Sequence, residues 1–274
     1  MVYFVNMNFS PSPQSHNSLN AQETEKSPRI QIEKLYGHCS RVNTIKSGDV
    51  MVVGGSYFSN TSSQVSPPRL ISDIDVFSDF YKKAQDRLEG VNFEQLRGLL
   101  DSSGCEMSEK IFAELLVFTR ALAEEYPNAS EHANNRQILY SNAQDGLRLS
   151  DAFKEGGAAC VEISALAQGF LQEQGVESSI FNGEVLWDKN YEFADEHTFI
   201  ILKDKGKTYI YDPANPVSNG IKPLPSVFVP MVDFEIETRK NVKKFVTSRN
   251  VITKGEVYYG VGNHANIIPE RDII

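Results

Sequence analysis

The chain has 274 residues, enough for one large domain with a substantial core, and its 41% hydrophobic and 23% charged residues form an ordinary globular balance. Its 36 acidic against 27 basic residues leave a net charge of −9, which argues against nucleic-acid binding, because neutralising phosphates takes clustered cations. Three cysteines (Cys39, Cys105, Cys160) are an odd number without paired spacing, so neither a disulfide framework nor a zinc motif emerges, no metal or cofactor is called for, and a reducing compartment is expected.

The N-terminal MVYFVNMNF is apolar but short and lacks a basic lead-in, so no cleaved secretory signal is expected. Residues 10–28 are rich in Ser, Pro, Asn and Gln and predict a disordered polar leader over 1–29, which suits a frayed end or a secretion leader. Residues 30–71 gain no assignment beyond a strand at VMVVGG and a loop at SNTSSQVSPPR. The glycine pair there lacks the spacing of a phosphate cradle.

One domain is expected over 72–274, helical over 72–155 with a core over 156–274. Ser72 and Asp75 predict a capping box ahead of Ile74, Phe77, Tyr81, Ala84 and Leu88, and Gly90 stops that run. Asn92 and Gln95 repeat the signal before Phe93, Leu96 and Leu100, and Ser108 opens a stronger helix with Ile111, Leu115, Phe118 and Leu122 on one face. These stripes read as core. The most apolar stretch, IFAELLVFTRALA, is interrupted by Glu114 and Arg120 and predicts no membrane span, hence a soluble protein. A weaker helix is predicted over 130–141.

After Cys160 the texture changes. A helix over 161–174, closed by Gly175, is followed by strand-like SSIFNGEVLW, HTFIILK, KTYIYD, SVFVPMVDF, KKFVTS and GEVYYGV. Helices, then a cysteine helix, then antiparallel strands predict an α+β fold with the helical lead-in and cysteine helix packed on an antiparallel sheet.

Cys160 follows Gly156, Gly157, Ala158 and Ala159 at the start of that helix. Unpaired N–H groups at a helix start favour thiolate, and the small residues leave room for a substrate carbonyl. The Cys160 amide, with Ala159 beside it, supplies one oxyanion donor. The bland alternative is a buried, inert cysteine. A thiol nucleophile needs a base and the base an orienting carboxylate. Of five histidines, His16 and His264 lie near the ends, His38 adjoins Cys39 and His132 is in a polar helix; His197 opens a strand 37 residues after Cys160, and Asp212 ends the next strand 15 residues later.

A four-residue loop over 203–206 would pair Leu202 with Lys207 and set His197 directly opposite Asp212, Cα atoms about 4.5–5.5 Å apart. A three-residue loop would pair Asp212 with Thr198 instead. The residues thus predict a Cys160–His197–Asp212 triad. Gln137 is a weak second oxyanion candidate. Trp187, the only tryptophan, and Tyr191 could wall the cleft or simply pack.

The helix-borne Cys in GGAACVE, the His in EHTFIIL and the Asp in YIYDPANP resemble the papain-like and transglutaminase-like superfamily. The 37 and 15 spacing is closest to the glutamine-deamidase domain of dermonecrotic mitogenic toxins and SseI-type secreted effectors. The resemblance covers about residues 130–225. It implies a papain-like or transglutaminase-like fold, with Cys160 as nucleophile, His197 as base and Asp212 as orienter. The implied activity is deamidation of a glutamine side chain on a host signalling protein, by a protein made in a bacterial cytoplasm and exported to the host cytosol. Arylamine N-acetyltransferases share an R-G-G-x-C-x-E motif, but this chain has E-G-G-A-A-C-V-E without the arginine, and its cysteine comes late. Papain's upstream glutamine is replaced by Lys154.

Every triad reading shares thiolate attack on an amide and a thioester. Resolution by water after a glutamine side chain is deamidation, by a lysine amine transglutamination, and by water after a backbone amide proteolysis. A different class is a binding or scaffold protein whose triad is idle.

Overall fold

The computed structural model describes residues 41–53, 68–133, 136–143, 145–187, 195–218, 222–234, 245–260 and 267–269. The polar leader, His16, His38, Cys39, Tyr191 and His264 lie outside the described residues. In chain order come β1 (Arg41–Val42), β2 (Val50–Val53), β3 (Arg69–Ile71), α1 (Ser78–Asp86), α2 (Phe93–Ser103), α3 (Glu109–Glu125) and α4 (Arg136–Asn142). Then follow β4 (Leu147–Arg148), α5 (Leu149–Lys154), α6 (Cys160–Glu173), β5 (Ser178–Leu186), β6 (Asp195–Asp204), β7 (Lys207–Ser218), β8 (Pro223–Pro230), β9 (Phe245–Asn250), β10 (Glu256–Gly260) and β11 (Ile267–Pro269).

Local chemistry sets most helix ends. Asn92 Oδ1 accepts the Gln95 N–H at 3.0 Å to open α2, and Ser108 Oγ accepts that of Ile111 at 3.4 Å to open α3. The Ser72–Asp75 capping box does not form. A short 3-10 turn over Ile74–Phe77 precedes α1. The Asp75 N–H goes to Ser47 Oγ at 2.9 Å, while Asp73 accepts the Ser150 N–H and hydroxyl at 3.0 and 2.6 Å. The helix expected over 130–141 is a turn followed by the shorter α4. Glu114, read as an interruption, is buried within α3 at 1% exposure.

The strands form a closed six-stranded antiparallel barrel, not the papain-like or transglutaminase-like helix-on-sheet arrangement expected. The barrel order is β5–β10–β9–β8–β7–β6, and β5 also pairs with β6 to close the ring. One edge of β5 runs along β6 from Ser178 opposite Leu202 to Val185 opposite Asp195. Its other edge takes β1 at Ile180 and Phe181 and β10 at 184–186. Gly183 permits that second approach, since a Cβ there would meet the Gly260 carbonyl oxygen at 2.2 Å.

Side chains alternate across each strand. Phe181, Val185, Phe199, Ile201, Ile210, Phe228, Val246 and Tyr259 fill the barrel interior, with Phe199 and Tyr259 edge-on at 4.8 Å. Ile180, Ile200, Leu202, Tyr209, Tyr211 and Val227 point outward into the helical core. A strand that is buried on both faces reads as continuously apolar, which conceals ring closure.

α6 packs on β5, β6 and β7, and α3 packs on β8 and on α1. At Gly169 of α6 a Cβ would lie 2.4 Å from the Tyr81 hydroxyl, which instead donates to the Leu166 carbonyl at 2.9 Å. The segment over 30–71 contributes strands in its described part: β1 joins the barrel, and β2 and β3 join β4 and β11 in a small mixed sheet. Among the described residues no helix is long and apolar enough to cross a membrane.

Candidate active site

The hairpin joining β6 to β7 sets the site. Asp204 pairs with Lys207 across a two-residue turn, and Lys205 and Gly206 both have positive φ, 48° and 75°, as a type I′ turn requires. The register therefore differs by two residues from the four-residue loop expected: Ile200 lies opposite Tyr211. A two-residue shift preserves the face, so His197 and Asp212 still share one side of the sheet. They lie diagonally across it, on the inner face with Phe199, Ile210 and Tyr259.

Pairing of β6 with β7 stops at Ile200 and Tyr211, and the β7–β8 register shifts between Asp212 and Val217. Below that point the seam between β6 and β7 opens, and the start of α6 occupies it. The Ser164 hydroxyl donates to the Thr198 carbonyl at 3.3 Å, and the Thr198 backbone N–H points at the Cys160 sulfur. The open seam is how a cysteine on an outer helix meets side chains on the inner face.

The three residues converge there. His197 Nε2 lies 2.8 Å from Asp212 Oδ2, which leaves Nδ1 for Cys160, and thiol and imidazole each favour the other's charged form. Asp212 is fully buried; its Oδ2 also accepts from Asn215 Nδ2 at 3.0 Å and the Tyr259 hydroxyl at 3.2 Å. Trp187 stands edge-on to the imidazole at 5.5 Å and donates its indole N–H to Asp195 at 2.9 Å, so it walls the ring. Asn215 and Tyr259, which sequence reasoning missed, hold the carboxylate. Their positions relative to Asp212 depend on the β7 bulge and on a strand 47 residues away.

The electrostatics favour an ion pair. Burial pushes the Cys160 thiol up, but the hydrogen bond and charge of His197, the Arg136 charge and the Thr198 N–H outweigh it and hold the thiol below its ordinary value. Burial lowers His197, yet the charge and hydrogen bond of Asp212, helped by Cys160, push it up to about 10. Cys160 remains partly exposed, whereas Cys105 is buried and its thiol is pushed up.

The glycines before Cys160 serve the chain turn rather than substrate approach. Gly156 has φ 65°, and a Cβ there would meet the Asn128 carbonyl oxygen at 2.9 Å; one on Gly157 would meet Leu139 Cδ1 at 2.3 Å. Ala159 spends its N–H on Glu162 Oε2 at 2.9 Å, so it is no oxyanion donor. The Cys160 N–H opens the helix and keeps that capacity. Gln137 is half-buried on α4, and among the described residues its side chain makes no hydrogen bond to Cys160 or His197. No group of three metal-ligating side chains converges among the described residues.

Beneath Cys160 lies a cluster that sequence reasoning also missed. Arg136 Nη2 donates to Glu162 Oε1 at 2.5 Å, and the Tyr140 hydroxyl donates to the same oxygen at 2.6 Å. Its one visible signal is an arginine and a tyrosine four apart on a short helix, plus a glutamate two after the cysteine. No family model, no curated protein and no solved structure matches the chain.

Proposed function

We propose that the chain is a cysteine-dependent amide hydrolase acting through a thioester, with Cys160 as nucleophile, His197 as proton carrier and Asp212 as orienter. One observation carries this reading: a buried imidazole hydrogen-bonded to a buried carboxylate, beside a partly exposed thiol that it holds below its ordinary pKa. The Cys160 thiolate adds to the amide carbon, and the Cys160 N–H stabilises the oxyanion. The C–N bond breaks as His197 gives its proton to the departing amine, leaving a thioester. Water, deprotonated by His197, then attacks the thioester; the acid leaves and the thiolate returns.

The favoured substrate is a glutamine side chain on a host protein, giving glutamate and ammonia. The Cys–His–Asp motif order and spacing support that choice, and the polar N-terminal leader supports export as an effector. The acidic net charge supports a protein partner over a nucleic acid. The test is mass spectrometry of host-cell extract proteins incubated with wild type or Cys160→Ala. A gain of about one dalton at a glutamine, seen only with wild type, is the expected result. Crosslinked species would reassign the reading to transglutamination and cleaved chains to proteolysis. No wild-type-dependent change of any kind overturns it.

A further inference from the structure

Glu162 is the third residue of α6, and its two oxygens do different jobs. Oε2 reaches back to the Ala159 N–H at 2.9 Å, closing the turn that presents Cys160. Oε1 takes Arg136 and Tyr140, both from α4. Arg136 is 6% exposed and Glu162 is 0%. Desolvating such a pair is costly, and packed apolar residues would hold two helices together as well or better. A buried pair under a partly exposed thiol therefore calls for a reason beyond helix packing.

The groups that face Cys160 supply one. From β6 come His197, backed by Asp212 of β7, and the Thr198 N–H; from α4 comes Arg136, paired with Glu162 of Cys160's own helix. His197 has a carboxylate behind it. Arg136 brings a second cation to bear on the sulfur.

We propose that the Arg136–Glu162–Tyr140 cluster is the positioning element of the thiol site, which locks the turn before Cys160 and sets a fixed cation behind its sulfur. This inference rests on the thiol reading above. In it, Glu162 anchors the turn and attenuates Arg136, while Arg136 keeps part of its charge for the thiolate.

The test reads the pH midpoint of iodoacetamide alkylation at Cys160 in the full chain, quantified by peptide mass spectrometry, with circular dichroism to verify folding. Arg136→Met should raise the midpoint by about one pH unit or more, because a cation facing the thiolate is lost. Glu162→Gln keeps one acceptor oxygen, enough for the Ala159 N–H or the Tyr140 hydroxyl but not both, and removes the negative charge paired with Arg136, so it should lower the midpoint. A merely structural staple would cut melting temperature in both variants without moving either midpoint in opposite senses, and that result overturns the proposal. If Arg136→Met does not fold, Glu162→Gln decides alone: an unchanged or raised midpoint sinks the idea. A wild-type midpoint at the ordinary value of about 8.5 removes the proposed function and this inference together. A low wild-type midpoint with unmoved variants removes this inference only.

Discussion

Single residues carry opposite electrostatic lessons in this chain. Asp212 is buried with three donors on one oxygen, whereas neither oxygen of Glu114 has a hydrogen-bond partner among the described residues, and Lys110 Nζ stands off at 3.7 Å. Burial accordingly pushes the Glu114 carboxyl up from 4.5, Lys110 opposing it only in part. A raised carboxyl favours the protonated folded state: its contribution is full below the unfolded value and is lost as pH rises through the folded one. Glu114→Met should therefore melt higher than wild type at neutral pH, with the gap closing as pH falls towards 4.5. Melts followed between pH 4 and pH 8 check this, and a gap independent of pH contradicts it. Residue types and order at the candidate triad were legible because His197 and Asp212 each flank an apolar strand. The Arg136–Glu162 pair was not, since partners 26 residues apart on different helices follow no local rule.

Elements show the same division. Asn92 and Ser108 cap helices as read, because a cap is written within four residues of chain. The β6–β7 hairpin was misread by two residues because Lys205, not only Gly206, adopts positive φ, a choice few lysines make. Barrel closure was illegible for a further reason: β5 must pair with β6 and also with β10, some 70 residues on, and both faces of the strands are apolar. Gly183 is the point where that closure is most exposed to a single change. It lies opposite His197 on β6, and an added Cβ would strike the backbone oxygen of Gly260 at 2.2 Å. Gly183→Ala should cost about 1–3 kcal/mol, the usual range for overpacking. Urea unfolding should show a lower midpoint with an unchanged slope, and an unchanged midpoint would mean that β5 and β10 are free to part.

At the scale of the whole molecule, the segment just before residue 46 ties the helical layer to the barrel. β1 pairs with β5. Gln172 then exchanges two hydrogen bonds with the Ile45 backbone, at 2.7 and 2.8 Å, and Gln168 donates to the Asn43 and Ser178 carbonyls at 3.1 and 3.0 Å. The two glutamines act as a surrogate strand edge on α6. Removing their partners leaves amides of α6 unsatisfied, at about 1–3 kcal/mol for each group left orphaned. A chain beginning at residue 47 should melt well below one beginning at residue 41; equal melting temperatures would show that the tie contributes nothing. The opened seam between β6 and β7 has its own consequence for what the molecule can grip. Its freed backbone groups at Thr198 are already spoken for by α6, so an incoming polypeptide cannot zip onto the sheet there as an added strand.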